Sequence, residues 1–332
     1  MSVAEVSVLL PVHNAGPGFN AAVLSILHQD HIRAELILVL NHADQTTTAL
    51  ARELAAVFPQ IRLIEEPRKG IHFALHTGLF HCSAPFIARM DADDISLPDR
   101  LCNQRNVLLH QPDIDLVSCR VTLPDSPHNE GFRAFVNWQN NILSPEQHLS
   151  HVFHESPVAH PSVMFRSSCI KRWGSYSLDT NIPEDYELWL RWQTQGARFL
   201  KLPEPLLIWN DSPGRLSRVH SSYSKEAFDK VRYPFAAAFF GKHKKKWWVC
   251  GGSRIAKRKM NALQQHGLEI AGVIDVVPRK ISGIPFVRAK DFVPIPGTGV
   301  LNLLSGREQR AQVATFLSSF NLMEGTDWFT IG

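Results

Sequence analysis

Apolar positions in this chain follow two periods, and the switches between them mark out its elements. Residues 6–12 form a β-rich apolar run, and a turn at Gly16-Pro17-Gly18 separates it from a helical pattern over 21–29. The pattern then predicts a buried strand over 35–40, a helix over 47–57, a strand over 61–65 and another over 85–88. The helix after that strand has Pro98 and Asp99 in its first turn, as helix starts favour. Strands alternating with helices through short connections predict an α/β fold, a mostly parallel sheet flanked by helices. A further strand is expected over 116–121, and the pattern loosens over 123–145. Short strands at 163–165 and 199–202 flank a helix that starts near Pro183.

Alternation restarts after Phe240. The run Lys242-His243-Lys244-Lys245-Lys246 reads as a solvated basic linker or as a contact for an anionic membrane surface. Strand 247–250, helix 255–266 stopped by Gly267, strands 270–275 and 300–304, helix 307–320 and strand 328–331 follow. The expected division is 1–240 and 241–332, the second a small Rossmann-like α/β domain docked through a limited surface.

Composition narrows the function classes. With 332 residues, 44% hydrophobic and 20% charged, the chain can bury a sizeable core and is not expected to be disordered. A net charge of +4 gives no reason to expect a nucleic acid partner. Cys82, Cys102, Cys119, Cys169 and Cys250 are scattered without metal-ligand spacing and read as reduced thiols of a cytoplasmic protein. The chain shows neither a basic-then-apolar leader pattern nor the run of about 18 apolar residues that spans a bilayer. Any membrane association is therefore expected to be peripheral, at the inner face.

The segment Met90-Asp91-Ala92-Asp93-Asp94 delivers three carboxylates to the end of the 85–88 strand, where open α/β sheets place ligands. Such a cluster is either an acidic turn leading into a helix or a ligand set for a divalent ion. Together with Pro98-Asp99-Arg100-Leu101, the block resembles the Asp-any-Asp motif and helix start of the GT-A glycosyltransferases of family 2. The resemblance runs over residues 4–235 and implies a GT-A nucleotide-diphospho-sugar transferase fold.

The resemblance also implies roles. Val8-Leu9-Leu10-Pro11-Val12-His13-Asn14 matches the family's first strand, which gives Pro11, His13 and Asn14 contacts to the nucleotide base; His13 stands where Tyr or Phe is common. Where family members end the second strand in Asp, this chain has Asn41 and, later, Asp44, both expected at the base or ribose. Arg68-Lys69-Gly70-Ile71 resembles the segment beneath the diphosphate, giving Arg68 a phosphate or ribose contact, against a solvated turn on the plain reading. Asp93 falls on the metal, Asp91 on metal or ribose, and Asp94 behind them; hard carboxylate ligands select Mn²⁺ or Mg²⁺. His160-Pro161-Ser162, Gly174-Ser175-Tyr176 and Pro183-Glu184-Asp185-Tyr186 follow in the family's order. Pro183 suits a first helical turn, so Glu184 and Asp185 lie near its positive end, which favours ionised carboxylates. The resemblance makes Asp185 the base that deprotonates the acceptor, with Glu184 beside it. Ser212-Pro213-Gly214-Arg215-Leu216-Ser217-Arg218 resembles a flexible loop whose Arg215 or Arg218 closes over the diphosphate, or is a surface turn.

The implied function is inverting transfer of a sugar from a nucleoside-diphosphate donor, a UDP-sugar first, to a hydroxyl of a glycan or lipid-linked glycan in surface polysaccharide or lipopolysaccharide synthesis. Two other classes stay open: a nucleotide-sugar-binding regulator, and an NAD-dependent oxidoreductase working through Gly251-Gly252-Ser253 with Asp275. Ser253 stands at the second glycine position of a dinucleotide turn, where its Cβ would crowd a pyrophosphate.

Overall fold

Among the described residues, eight strands build the larger of two sheets: β1 (Val6–Val12), β2 (Ala34–Asn41), β3 (Ile61–Glu66), β4 (Phe86–Arg89), β5 (Ile95–Ser96), β6 (Leu116–Thr122), β7 (Met164–Arg166) and β8 (Phe199–Ile208). The computed structural model describes residues 3–124, 130–211, 215, 218, 220–243, 246–278 and 283–332. Strand order is β3-β2-β1-β4-β7-β6-β8-β5. β3, β2, β1 and β4 run parallel, and β7 runs antiparallel to both β4 and β6. Both faces of β1 and β2 are buried, so these strands are apolar throughout instead of alternating. Val8, Leu10, Leu36 and Leu38 meet α1 (Phe19–Leu27) on one face; Leu9, Ile37 and Val39 meet α3 (Ile71–His81) on the other. Gly78 lets α3 lie close to the sheet, since a Cβ there would stand 2.8 Å from Val39 Cγ2.

α2 (Gln45–Val57) and α4 (Arg100–His110) complete this half, and the predicted α/β alternation is the observed one. The loosened stretch contains α5 (Glu130–Asn140), which sequence reading passed over, and α6 (Pro145–His151) begins at its end. α7 (Ser168–Trp173) and α8 (Glu184–Thr194) follow, and α9 (Lys225–Lys242) carries Pro234 inside it. The basic run thus begins as the last turn of α9; Lys244 and Lys245 lie outside the described residues.

The second sheet is all parallel, in the order β11-β10-β9-β12-β13, from β9 (Lys246–Cys250), β10 (Ile270–Asp275), β11 (Phe286–Arg288), β12 (Thr298–Asn302) and β13 (Trp328–Thr330). It is a Rossmann-like arrangement, flanked by α10 (Arg254–Gln265) and α11 (Arg307–Ser318). The expected limited docking surface is corrected. Phe153, Phe240, Trp247, Phe329 and Ile331 share one continuous buried cluster, with Phe240 and Phe329 ring centres 4.9 Å apart. Gly332 N–H donates to Phe153 O at 3.0 Å, and the buried Lys259 donates to the carbonyls of Leu303 and Ile331 at 3.0 and 3.1 Å. The restart of alternation reveals a new sheet but not the apolar surface it shares with the first.

Candidate active site

The ends of β1, β4 and β8 and the start of α8 open into one cleft of about 890 Å³. Pro11, His13, Asn14, Asp91, Asp93, Glu184 and Asp185 all line it. Seven predicted residues, far apart in sequence, therefore converge because parallel strands all deliver their ends to one edge.

Three predicted residues do not line the cleft; they brace the loops behind His13. Asn41 Nδ2 donates to Arg68 O at 2.6 Å and Asn41 Oδ1 accepts from Gly70 N–H at 3.0 Å, while its carbonyl takes the Nδ1–H of His13 at 2.8 Å. Asp44 caps α2 by accepting from Thr47 N–H at 2.7 Å, and Thr47 Oγ1 in turn holds Ala15 N–H at 2.8 Å. Arg68 is forked onto Glu66 at 2.9 and 2.7 Å, and with Thr77 it holds the Glu66 carboxyl down near 2. The His13 and His42 rings are nearly parallel, 11° apart in tilt with centres separated by 6.1 Å.

At the centre, Asp91, Asp93 and Asp94 can bring one oxygen each within 4.8 Å of the others. Asp91 is ion-paired with Arg89, a guanidinium only 2% exposed. Asp94 is buried; Oδ1 accepts from Asn210 N–H at 2.8 Å while Oδ2 has no partner among the described residues. Asn210 Nδ2 also donates to Asp93 O, fastening the acidic turn to the end of β8. Burial and then repulsion from Asp91 push the carboxyls of Asp93 and Asp94 upward, and Arg215 opposes this. An orphaned buried carboxylate oxygen beside two more carboxylates fits a hard divalent cation. Arg215 lies 4.2 Å from the Trp209 ring centre. Of its loop, Ser212, Pro213, Gly214, Leu216 and Ser217 lie outside the described residues, and Arg218 is paired with Asp211 at 2.6 Å.

At the start of α8, Asp185 Oδ1 accepts from Tyr186 N–H at 2.7 Å. Burial, then the neighbouring Glu184, raise the Asp185 carboxyl to about 7. The expectation that the helix start would favour its ionised form is thus corrected: desolvation and a like charge outweigh the dipole. Glu184 is 1% exposed, accepts from Tyr223 OH at 2.6 Å and lies 3.8 Å from His160 Nδ1. His160 Nε2 is 2.8 Å from Tyr176 OH, and burial, then Arg89, keep its imidazole neutral. Tyr223 gave no signal in the sequence, standing alone in a polar stretch; Arg89 sat inside the acidic motif without being singled out. Glu155, Trp209 and Asn210 also line the cleft unannounced.

In the second sheet, the Gly251-Gly252-Ser253 turn is closed on itself. Gly252 N–H donates to Asp275 Oδ2 at 2.6 Å, and Ser253 Oγ caps α10 through Ala256 N–H at 3.2 Å. The acid that would hold a dinucleotide ribose already supports the turn.

Carboxylates at a strand end and at a helix start, gathered along one sheet edge, make this cleft the candidate active site. The sequence model of glycosyl transferase family 2 matches residues 7–173, and the chain belongs to that family. It is 31% identical over 206 residues to the amylovoran biosynthesis glycosyltransferase AmsE of Erwinia amylovora, covering 60% of this chain and 74% of that one. It is 29% identical over 238 residues to the O-antigen biosynthesis glycosyltransferase WbnJ of Escherichia coli, covering 68% and 90%. The S. aureus TarS 1–349 structure in complex with UDP-GlcNAc superposes with a TM-score of 0.58 at 14% identity, over 79% of this chain and 71% of that one. The GT-A fold implied by the sequence resemblance is the observed one, and the protein is a nucleotide-sugar glycosyltransferase.

Proposed function

We propose that the protein is an inverting transferase moving a sugar from a UDP-sugar to a hydroxyl of a glycan or lipid-linked glycan, in surface polysaccharide or lipopolysaccharide synthesis. The observation that carries this reading is one cleft lined together by Pro11, His13 and Asn14, by Asp91 and Asp93, and by Glu184 and Asp185. His13 and Asn14 hold the base, kept in place by Asn41; Asp44 and Arg68 act at one remove, by fixing the walls. Asp185 takes the proton of the acceptor hydroxyl, whose oxygen attacks the anomeric carbon from the face opposite the departing diphosphate, so configuration inverts. Glu184 is a positioning residue, held by Tyr223. Asp91 and Asp93, with Asp94 behind, are suited to hold Mn²⁺ or Mg²⁺, which when bound offsets charge growing on the diphosphate. Residues 1–240 carry this chemistry and 241–332 form a second domain. No helix among the described residues is long and apolar enough to cross a membrane. We place the enzyme in the cytoplasm, in peripheral contact with the membrane's inner face, and read the basic run that opens at Lys242 as the link between the two sheets.

The purified chain with a panel of UDP-sugars tests this: one of them should bind and be turned over, with loss of activity in chelator and recovery with Mn²⁺ or Mg²⁺. Failure of every UDP-sugar to bind would refute it. Asp93→Ala should lower kcat by about 10²-fold or more, since an electrostatic partner of the transition state is worth roughly 2.7–4 kcal/mol. Turnover at the wild-type rate in this variant would remove Asp93 from the metal site.

Tyr223→Phe should lower kcat roughly tenfold, about 1.4 kcal/mol of barrier. Without the hydroxyl, the Glu184 carboxyl rises further, ionises less and repels Asp185 less. The acid limb of the rate profile should then move to lower pH. An unmoved limb would mean that the Tyr223 bond only supports packing.

A further inference from the structure

His42 follows directly on the end of β2 and has a backbone φ of 51°, in the left-handed region that residues with a Cβ uncommonly adopt. Such a conformation costs free energy, so it persists only where the surroundings fix it. Here they do. His42 N–H donates to Glu66 O at 3.0 Å, and the preceding Asn41 is tied through its side chain to Arg68 O at 2.6 Å and to Gly70 N–H at 3.0 Å. The His42 ring comes to lie within 11° of parallel to that of His13, which lines the cleft and is itself set by its bond to Asn41 O. The ring centres are 6.1 Å apart, beyond the roughly 3.5–4.0 Å of carbon atoms in contact, so neither ring seals the face of the other. Both residues are exposed.

We infer that His42 joins His13 in holding the flat face of the donor's base, and that this base site discriminates weakly among nucleosides; the inference rests on the nucleotide-sugar reading above. Stacking on an aromatic ring accepts any base, because every base has a π face, whereas discrimination needs hydrogen bonds to the base edge. The side chains suited to such bonds are turned to protein partners. Asn41 is buried and braces two loop positions, Asp44 caps α2 through Thr47 N–H, and Arg68 is forked onto Glu66. None of the three lines the cleft. Asn14 does line it, but a carboxamide carries both a donor and an acceptor and turns to suit a keto or an amino edge. Selection then falls on the shared diphosphate and on the π face, which all nucleoside diphosphates offer.

The test is calorimetry on the full chain in Mn²⁺ with UDP, CDP, GDP and ADP, and with inorganic pyrophosphate as the probe that has no base. The four nucleotides should bind within about tenfold of one another, the spread that stacking strength alone allows. His42→Gly removes the ring and suits the left-handed backbone, so this variant should melt close to wild type. It should lose about tenfold in affinity for every nucleotide, the scale of one base–aromatic stack, while its affinity for pyrophosphate stays unchanged. His42→Phe restores a ring face and should recover most of that loss; a purely structural role for His42 predicts no such split between nucleotide and pyrophosphate. Wild-type nucleotide affinity in His42→Gly would overturn the ring contact, as would an equal loss for pyrophosphate. A preference of more than about tenfold for one base would overturn the weak discrimination, since a bidentate edge contact is worth that much or more. If UDP were the one nucleotide bound, the donor reading would stand and this inference would fall; if no nucleoside diphosphate bound, both would fall.

Discussion

Asp185→Asn should lower kcat by about 10²–10⁴-fold, the contribution of a positioned general base, while leaving donor affinity nearly unchanged. It should also make the protein harder to melt above neutral pH. Burial and Glu184 raise the Asp185 carboxyl from 3.8 to about 7 in the folded protein. A raised carboxyl favours folding only while it is protonated, so its favourable term is complete below about pH 4, near the unfolded value, and is gone once pH passes the folded value near 7. Asparagine carries no charge to desolvate. The variant should therefore melt like the wild type near pH 4 and progressively higher between pH 4 and 7; at this chain length each 1 kcal/mol gained raises Tm by roughly 1–2 °C. The same raised value places the acid limb of wild-type turnover near neutrality, where a base is well matched to its task. A variant that keeps wild-type turnover, or that melts lower than wild type at pH 8, would show that Asp185 is neither the base nor strained by its surroundings.

The parts of this site legible in the sequence are those with a local signature. The carboxylates of Asp91 and Asp93 sit at the end of an apolar run, and Asp185 sits one residue inside a helix that Pro183 announces. Both strand and helix are set by short-range pattern, so the residues they carry could be placed in advance. Asn41, Asp44 and Arg68 are different. Their place in the chain was legible, but their partners, Gly70, Thr47 and Glu66, are decided by how loops close, which periodicity does not encode. Tyr223 reaches Glu184 across 39 positions, and no local pattern marks a bond of that range. α5 escaped notice because its apolar face is a narrow stripe, Phe132, Phe135 and Val136, continued by the polar Gln139 and flanked by Gly131, Arg133 and Asn137. That narrowness follows from its place at the cleft wall, where Phe132 and Phe135 line the cleft instead of a closed core. The ionisation of Asp185 was misjudged for a related reason: a helix start is visible in sequence, whereas the depth of its burial is a property of the assembled cleft.

Truncation after Lys242 should leave a chain that aggregates or melts at least 10 °C below the full protein, although every residue of the proposed chemistry is retained. Removing the second sheet uncovers Phe153 and Phe240, both fully buried in the cluster they share with Trp247, Phe329 and Ile331. Re-exposing a large apolar side chain costs about 1.5–3 kcal/mol, so two aromatic rings and their partly buried neighbour Phe239 approach the whole 5–15 kcal/mol of a typical domain. The loss reaches the cleft, because Phe153 is two residues from Glu155 and its carbonyl is held by Gly332 N–H at 3.0 Å. Phe240→Ala in the full chain probes the same contact more gently and should cost about 3–5 kcal/mol, the usual scale for a buried phenylalanine. Thermal unfolding of the two proteins against wild type decides the matter. If the truncated chain stayed soluble and melted within about 3 °C of wild type, a shift worth roughly 1 kcal/mol, the shared cluster would contribute little and the second sheet would be an independent passenger.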